Sequence, residues 1–116
     1  MHLEVYRACP DVLALVHAHP TSALALSALG RVPSPALLLE GMALVPRIEL
    51  VEPLPPGSQE LAEACACAIR RAPAAVLKRH GVLCAGRDLR EALDRVEVLE
   101  LLAQIELGPD ASGAGR

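Results

Sequence analysis

Short aliphatic runs alternate with longer helical segments along this chain, and this alternation constrains the fold more than any other feature. Short apolar runs bounded by Gly or Pro indicate buried strands, whereas apolar residues three and four apart indicate helices. We predict a strand that begins with the apolar run 12–16 and ends at Pro20, and further strands over 43–51, 74–78 and 82–85. Helices are predicted over 1–8, 21–29, 59–71 and 88–107. The short apolar segment 36–39 matches neither pattern. Helices and strands mixed throughout one chain predict a layered α/β domain.

Local signals mark several ends of these segments. Ser58 is a typical N-cap for the third helix, and Asp88 with Glu91 resembles a capping box at the start of the last one. Gly30 suits the left-handed residue that ends a helix, and Pro46 places its strand at an edge or a bulge. The apolar stripe of the last helix is predicted to be Leu89, Leu93, Val96 and Leu99 or Glu100, and Gly108-Pro109 is predicted to end that helix.

The core has to be built from small aliphatic side chains, because the 116 residues include one Tyr and neither Phe nor Trp. A chain of this length forms one domain. Net charge is −3, with acidic and basic residues interspersed. Without a basic stripe or stacking aromatics, nucleic acid is excluded as a partner. No apolar run reaches the length that a bilayer requires, so we also expect no membrane partner.

The four cysteines show no Cys-x-x-Cys spacing. Cys65 and Cys67 lie two residues apart in a predicted helix, where their side chains diverge. We therefore interpret all four, which include Cys9 and Cys84, as small buried apolar residues in a reducing cytoplasm. The N-terminus lacks a basic region followed by an apolar run, so we expect no signal peptide.

The segment Val16-His17-Ala18-His19-Pro20 carries the first candidate site residues. Side chains alternate along a strand, so His17 and His19 point the same way. Neutral imidazole is a favoured zinc ligand, and two on one face at a strand end can share an ion. A core histidine bonded to a backbone carbonyl is the alternative, and a His-x-His pair alone does not exclude it.

A third histidine, His80, ends another predicted strand just before a turn. Together with His17 and His19 it would complete the three-ligand set of a catalytic zinc site, which leaves one position open for substrate. Such an ion acts as a Lewis acid that polarises a carbonyl and stabilises an enediolate. Gly81 is predicted to let the chain turn sharply, so that the imidazole of His80 faces the other two.

Five segments follow one another in a characteristic order: MHLEVYRACPDVLALVHAHP, LEGMALVP, PPGSQELAEA, VLKRHGVLCAGRDLREALDRVEVLE and LAQI. On these segments the chain resembles the class II aldolase/adducin family over about residues 1–108. That family includes fuculose- and rhamnulose-phosphate aldolases, ribulose-phosphate 4-epimerase and methylthioribulose-phosphate dehydratase. We expect a domain over 1–108 and a flexible tail over 109–116.

The resemblance implies a three-layer α/β/α sandwich with a central, largely antiparallel sheet. It also implies Zn²⁺ or another divalent metal bound by His17, His19 and His80, and a homo-oligomer, commonly a tetramer. The implied activity is cleavage of a small phosphorylated ketose by a cytoplasmic lyase. The alternatives are a non-catalytic metal-binding or assembly module of the same fold and a sugar-phosphate epimerase or dehydratase.

The chain departs from the family pattern at its start. Family members carry a Ser-Ser-Glu-like segment before the first helix, with a glutamate that completes the metal shell and acts as the acid/base, and a phosphate-binding segment further upstream. Neither precedes Met1 here, so we expect an N-terminally short version, and the catalytic residue stays unknown. Glu4 and Glu40 are weak candidates for that base. His2 matches a family histidine, for which we favour packing or a bond to a ligand over ligation. Glu97 and Glu100 are interpreted as a solvated face of the last helix, with Arg90 and Arg95.

Overall fold

The structure of the protein is a computed structural model that describes residues 1–112. Helices are α1 (His2–Ala8), α2 (Thr21–Ala28), α3 (Leu39–Leu44), α4 (Gln59–Arg71) and α5 (Leu89–Ser112), with a short 3₁₀ helix at Pro35–Leu37. Strands are β1 (Ala14–Ala18), β2 (Ile48–Val51), β3 (Ala74–Leu77) and β4 (Gly81–Gly86). Among these residues no helix combines the length and apolar composition needed to cross a bilayer.

The four strands form one sheet in the order β1-β4-β3-β2. β4 pairs antiparallel with both β1 and β3, and only the β2–β3 pairing is parallel. The parallel pair is connected through α4, as a crossover between parallel strands requires. The predicted, largely antiparallel sheet is therefore confirmed.

Each face of the sheet carries its own apolar core. Along β4, Leu83 and Ala85 join one core while Val82 and Cys84 join the other, as the alternation of side chains on a strand requires. Val5 of α1 and Cys65 of α4 fill the first core. Residues of α2 and α5 fill the second: Ala23, Leu26, Val96, Leu99, Leu102 and Ala103. Helices on both faces confirm the three-layer α/β/α architecture.

Three of the local signals are confirmed. The hydroxyl of Ser58 accepts a hydrogen bond from the N–H of Leu61 at 3.2 Å. The carboxylate of Asp88 accepts one from the N–H of Glu91 at 2.8 Å, which caps α5. Gly30 follows α2 with a φ of +74°, the left-handed conformation that glycine adopts without steric cost.

The predicted strand over 43–51 begins too early. Ala43 and Leu44 end α3, and only Ile48–Val51 is extended. The segment 36–39 joins the end of the 3₁₀ helix to the start of α3. Apolar periodicity is ambiguous in so short a stretch, and contacts of α3 with α5 stabilise the helix there. The placement of this strand at an edge is confirmed, because β2 ends the sheet.

The apolar stripe of α5 is partly wrong. Val96 and Leu99 are buried as expected, but Leu89 is 65% exposed and Leu93 is 42% exposed. Ala92, Leu102 and Ala103 are buried instead. A face rich in alanine allows the helix to approach the sheet closely, which an argument from large apolar residues overlooks.

The break predicted near the end of α5 is confirmed, whereas one cysteine differs from expectation. Gly108, with a φ of +80°, interrupts α5 where its end was predicted, but the helix resumes through Ser112. The rest of the predicted flexible tail, 113–116, lies outside the described residues. Cys9, Cys65 and Cys84 are buried, whereas Cys67 is exposed on α4, so its burial was wrongly predicted.

Candidate metal centre

The candidate histidines meet because the end of β1 lies beside the start of β4. In this antiparallel pair His17 is opposite Leu83 and Ala18 is opposite Val82. His19 directly follows β1, and His80 directly precedes β4. Two segments that are distant in sequence therefore present their histidines at the same end of the sheet.

The structure brings all three predicted histidines together. Their possible ligand nitrogens lie within 4.8 Å of one another. The centroid of the His17 ring is 4.9 Å from that of His19 and 5.0 Å from that of His80. His17 and His80 are half-buried and His19 is exposed, so the cluster lies at the surface and is accessible from solvent.

His17 is oriented by the backbone of the neighbouring strand. Its Nδ1 lies 2.9 Å from the carbonyl oxygen of Val82, to which a protonated Nδ1 donates. Burial lowers the pKa of His17, the charges of His80 and His19 lower it further, and the bond to Val82 opposes this shift. These effects favour the neutral ring, in which Nδ1 donates to Val82 and Nε2 is the remaining acceptor, the state that binds a metal.

Gly81 has a different role from the predicted one. The left-handed residue of the β3–β4 turn is Arg79, with a φ of +62°, and not Gly81. A Cβ on Gly81 would lie 2.5 Å from the carbonyl oxygen of Ala18 and 3.0 Å from ring carbons of His17 and His19. Gly81 therefore provides the space in which the two segments approach each other.

Glu100 was wrongly assigned to a solvated face. Its two carboxylate oxygens accept hydrogen bonds from the backbone N–H groups of Ser22 and Ala23, at 3.0 and 2.8 Å. A carboxylate at this position pairs N–H groups that have no partner within the helix, and its negative charge interacts favourably with the positive N-terminal end of α2. α2 begins directly after His19-Pro20, so Glu100 stabilises the segment that follows the His-x-His pair.

Of the other residues assigned to that face, Glu97 and Arg90 are exposed as expected, and only Arg95 was wrongly placed. The guanidinium of Arg95 donates to the carbonyl oxygens of Leu44 and Ala85, both at 2.7 Å, and Arg90 pairs with Asp94. The bonds from Arg95 to Leu44 and from Ser22 to Glu100 span 51 and 78 residues, so no local sequence pattern predicts them. The only available signal was an acidic residue within an otherwise apolar stretch of the last helix.

The two acidic candidates for an acid/base role lie elsewhere. Glu4 accepts a hydrogen bond from Gln59 at 3.4 Å, and Glu40 is exposed on the first turn of α3. Among the side chains described, those of residues 1–108, the cluster contains only the three histidines. His2 is exposed, so it is not a packing residue, although its charge lowers the pKa of His17.

A cleft of about 310 Å³ borders His80. The loop that follows β2 forms one side through Leu54 and Pro56, and Leu61 of α4 contributes to the wall. Lys78 and Glu52, whose charged groups lie 3.5 Å apart, form a polar edge. This size and the mixture of apolar walls with a few polar groups are typical of small-molecule sites.

The residues present fit a divalent metal ion. Zinc binds histidine nitrogen at about 2.0–2.1 Å, and catalytic zinc commonly has three protein ligands and an open fourth position. The three histidines supply such a set, and the carbonyl of Val82 provides the backbone partner that ligating histidines usually have. The absence of a Cβ at Gly81 gives the rings the room they need.

This α/β/α domain, with three histidines at one end of its sheet, also matches a known family. Residues 1–107 match the family described as "Class II Aldolase and Adducin N-terminal domain". The chain belongs to this family, and the resemblance inferred from the sequence is confirmed.

Individual relatives agree with this assignment. The chain is 35% identical over 105 residues to an L-fuculose phosphate aldolase of Methanococcus maripaludis. The aligned region covers 90% of this chain and 56% of the relative. The chain is 34% identical over 108 residues to a 3-oxo-tetronate 4-phosphate decarboxylase of Haemophilus influenzae, covering 90% and 51%. The chain thus spans about half the length of the curated relatives it matches.

The solved structures show the same fold. The crystal structure of L-fuculose-1-phosphate aldolase from Thermus thermophilus matches 99% of this chain with a TM-score of 0.83 and 35% identity. The chain covers 62% of that protein. The predicted class II aldolase fold is therefore confirmed.

Proposed function

We propose that this chain carries the metal centre of a class II aldolase-type lyase, with His17, His19 and His80 as ligands of Zn²⁺ or another divalent metal. The observation that carries the proposal is the convergence of three imidazoles from two distant segments, with ligand nitrogens within 4.8 Å of one another. Family membership and the fuculose-phosphate aldolase relatives support a small phosphorylated ketose as substrate.

The chemistry of the site follows from its environment. A bound divalent cation supplies Lewis-acid polarisation of a substrate carbonyl. The Val82 carbonyl fixes the tautomer and orientation of His17, and the lowered pKa keeps that ring neutral. The cleft beside His80 has room for the part of a small sugar that extends away from the ligands. We assign the acid/base role to neither Glu4 nor Glu40, because both lie outside the cluster.

Metal titration of the purified 116-residue chain, followed by a cleavage assay, tests this proposal. Zn²⁺, Mn²⁺ and Co²⁺ are offered in turn, and bound metal is measured after gel filtration. Cleavage of L-fuculose 1-phosphate is then monitored as release of dihydroxyacetone phosphate. We expect one ion per chain in the wild type and none in His80→Ala. A wild-type chain that binds no metal would overturn the proposal.

A decarboxylase activity is the second candidate, because one relative is a 3-oxo-tetronate 4-phosphate decarboxylase. A divalent cation held by His17, His19 and His80 would supply Lewis-acid polarisation to a 3-oxo acid phosphate as well. Release of CO₂ from a 3-oxo acid phosphate, without an aldehyde product, would favour it over aldol cleavage. Stoichiometric metal with neither product would favour the non-catalytic module, and the metal centre would stand in either case.

We further propose a homo-oligomer in the cytoplasm. Five leucines are more than 60% exposed, which is unfavourable for an isolated chain: Leu3, Leu13, Leu29, Leu39 and Leu89. Light scattering on the purified chain tests the assembly state, and a monomer at micromolar concentration would contradict it. The free cysteines and the resemblance to metabolic enzymes support the location, which cell fractionation tests.

A further inference from the structure

The turn that carries His80 has an unusual backbone conformation. Three residues, 78–80, connect the paired residues Leu77 and Gly81. The N–H of His80 donates to the carbonyl oxygen of Leu77 at 2.8 Å, and Arg79 has a φ of +62°. Within residues 1–112 no other residue except glycine has a positive φ. An arginine in this region is strained, and the conformation persists only where the surroundings stabilise it.

Ser27 of α2 supplies that stabilisation. Its Oγ accepts a hydrogen bond from the N–H of Arg79 at 3.1 Å and donates one to the carbonyl oxygen of Leu24 at 2.8 Å. The side chain is fully buried. Serine side chains in helices often donate to a carbonyl of the preceding turn. Here the hydroxyl proton of Ser27 points to the carbonyl oxygen of Leu24, so a lone pair of Oγ is free to accept from the N–H of Arg79.

Helix α2 is also connected to the segment that carries His17 and His19. α2 starts directly after His19-Pro20, and Glu100 holds its first turn through Ser22 and Ala23. The bond from Ser27 therefore connects the segment that follows the His-x-His pair to the turn that bears His80. A change in this bond would shift His80 relative to His17 and His19.

We propose that Ser27 is a positioning residue for the metal centre: its hydroxyl holds Arg79 in the left-handed conformation that directs the imidazole of His80 toward His17 and His19. This inference rests on the proposed metal-binding function. Partners that orient metal ligands without touching the metal typically contribute about 10- to 100-fold to affinity. The loss of Ser27 should therefore weaken metal binding and leave all three ligands present.

Co²⁺ titration of the full chain tests the inference, because the visible absorption of Co²⁺ reports the number and geometry of its ligands. We expect Ser27→Ala to lower Co²⁺ affinity about 10- to 100-fold and to alter the absorption bands. Ala68→Gly, in the α4 core on the other face of the sheet, is the control for general destabilisation. It should lower the unfolding midpoint and retain wild-type affinity and spectrum.

Substitutions at the exposed Arg79 provide a second test that does not disturb the core. Arg79→Gly adopts the left-handed conformation freely and should retain Co²⁺ affinity, whereas the β-branched Arg79→Val should lose it as Ser27→Ala does. Because glycine needs no help from Ser27, the double variant Ser27→Ala/Arg79→Gly should recover most of the lost affinity. This recovery distinguishes positioning of the turn from a general packing defect.

The outcomes separate the two proposals. A wild-type chain that binds no Co²⁺ overturns the metal centre and this inference with it. If the wild type binds Co²⁺ and Ser27→Ala and Arg79→Val bind it with the same affinity and spectrum, the role of Ser27 is wrong and the metal centre stands.

Discussion

The two ends of β4 are both polar, but their polar groups are arranged in opposite ways. At the Gly86 end, Arg95 bonds two backbone carbonyls and Glu91, and Asp88 caps α5. At the Gly81 end, three imidazoles face one another. Among residues 1–108, whose side chains the structure describes, the rings of His19 and His80 have no hydrogen-bond partner.

The difference separates polar groups that stabilise the fold from those that are available for chemistry. Each charged group around Arg95 uses its capacity on the protein itself, so that end of the sheet holds three elements together. The histidines leave ring nitrogens without a bond to the protein at an accessible surface, where water or a ligand can bind them. Whether polar residues at a strand end stabilise the fold or are available for chemistry can therefore be decided only from their hydrogen-bond partners.

Replacement of His80 by alanine should have the largest effect on metal binding. Two ligands remain, so we expect affinity to fall by more than about 100-fold, the upper end of what indirect partners contribute. The far-ultraviolet circular dichroism should not change, because the ring is half-buried at the end of a turn. Metal analysis after gel filtration measures the loss, and retention of one ion per chain would contradict the ligand set.

Replacement of Arg95 by alanine should mainly affect stability. It leaves the carbonyl groups of Leu44 and Ala85 without their donor, and we expect the free energy of unfolding to fall by about 3 kcal/mol. Urea denaturation measures this change. Arg90→Ala, on the same helix but 85% exposed, should change it by less than about 0.5 kcal/mol. Equal losses of unfolding free energy in Arg95→Ala and Arg90→Ala would contradict the stabilising role assigned to the Gly86 end of β4.

Alanine at each glycine of β4 compares the two ends directly. A Cβ on Gly86 would lie 2.6 Å from the backbone N of Ala92, and one on Gly81 would lie 2.5 Å from the carbonyl oxygen of Ala18. Each collision should cost about 1–3 kcal/mol of stability. Only Gly81→Ala should also weaken metal binding, about 10-fold or more, because it displaces His17 and His19. Metal titration of both variants beside urea denaturation measures the two effects.

Thiol labelling should show the smallest effect, because the buried cysteines of the core should not react. Burial raises the pKa of Cys84 to about 12 and that of Cys65 to about 11, so both thiols stay protonated and unreactive near neutral pH. Iodoacetamide should therefore modify Cys67 first, with or without a chelator. Mass spectrometry of the labelled chain measures this, and chelator-dependent labelling of Cys84 would show that loss of metal opens the sheet.

Sequence reasoning predicted those features that depend on neighbouring residues. Ser58 and Asp88 cap helices through N–H groups three residues away, and Gly30 ends a helix by its own conformation. The His-x-His pair was found because the strand alternates every second residue. Its meeting with His80 was inferred because both segments end predicted strands before a turn. The family resemblance then supported that inference, since the spacing alone does not specify which strands pair.

The errors share a physical cause. Glu100 and Ser22 are 78 residues apart, and Arg79 and Ser27 are 52 apart, so no local pattern reports either bond. Leu89 and Leu93 were expected in the core because they are large and apolar. The close approach of α5 to the sheet instead buries its alanines and leaves these two leucines exposed. Gly81 is required because of the backbone of Ala18, which becomes its neighbour only after the sheet forms.

The long chain separation of the histidines has a consequence for folding. His17 and Val82, which hydrogen-bond within the centre, are 65 residues apart, so an unfolded chain can offer only the nearby His17–His19 pair. The complete set of three histidines forms only when β1 docks on β4, so the proposed metal ion would bind late in folding. An ion held only by the native state at 100 times its Kd would add about 2.7 kcal/mol to the free energy of unfolding. The cell's supply of metal would then influence how long this chain survives as well as what it does.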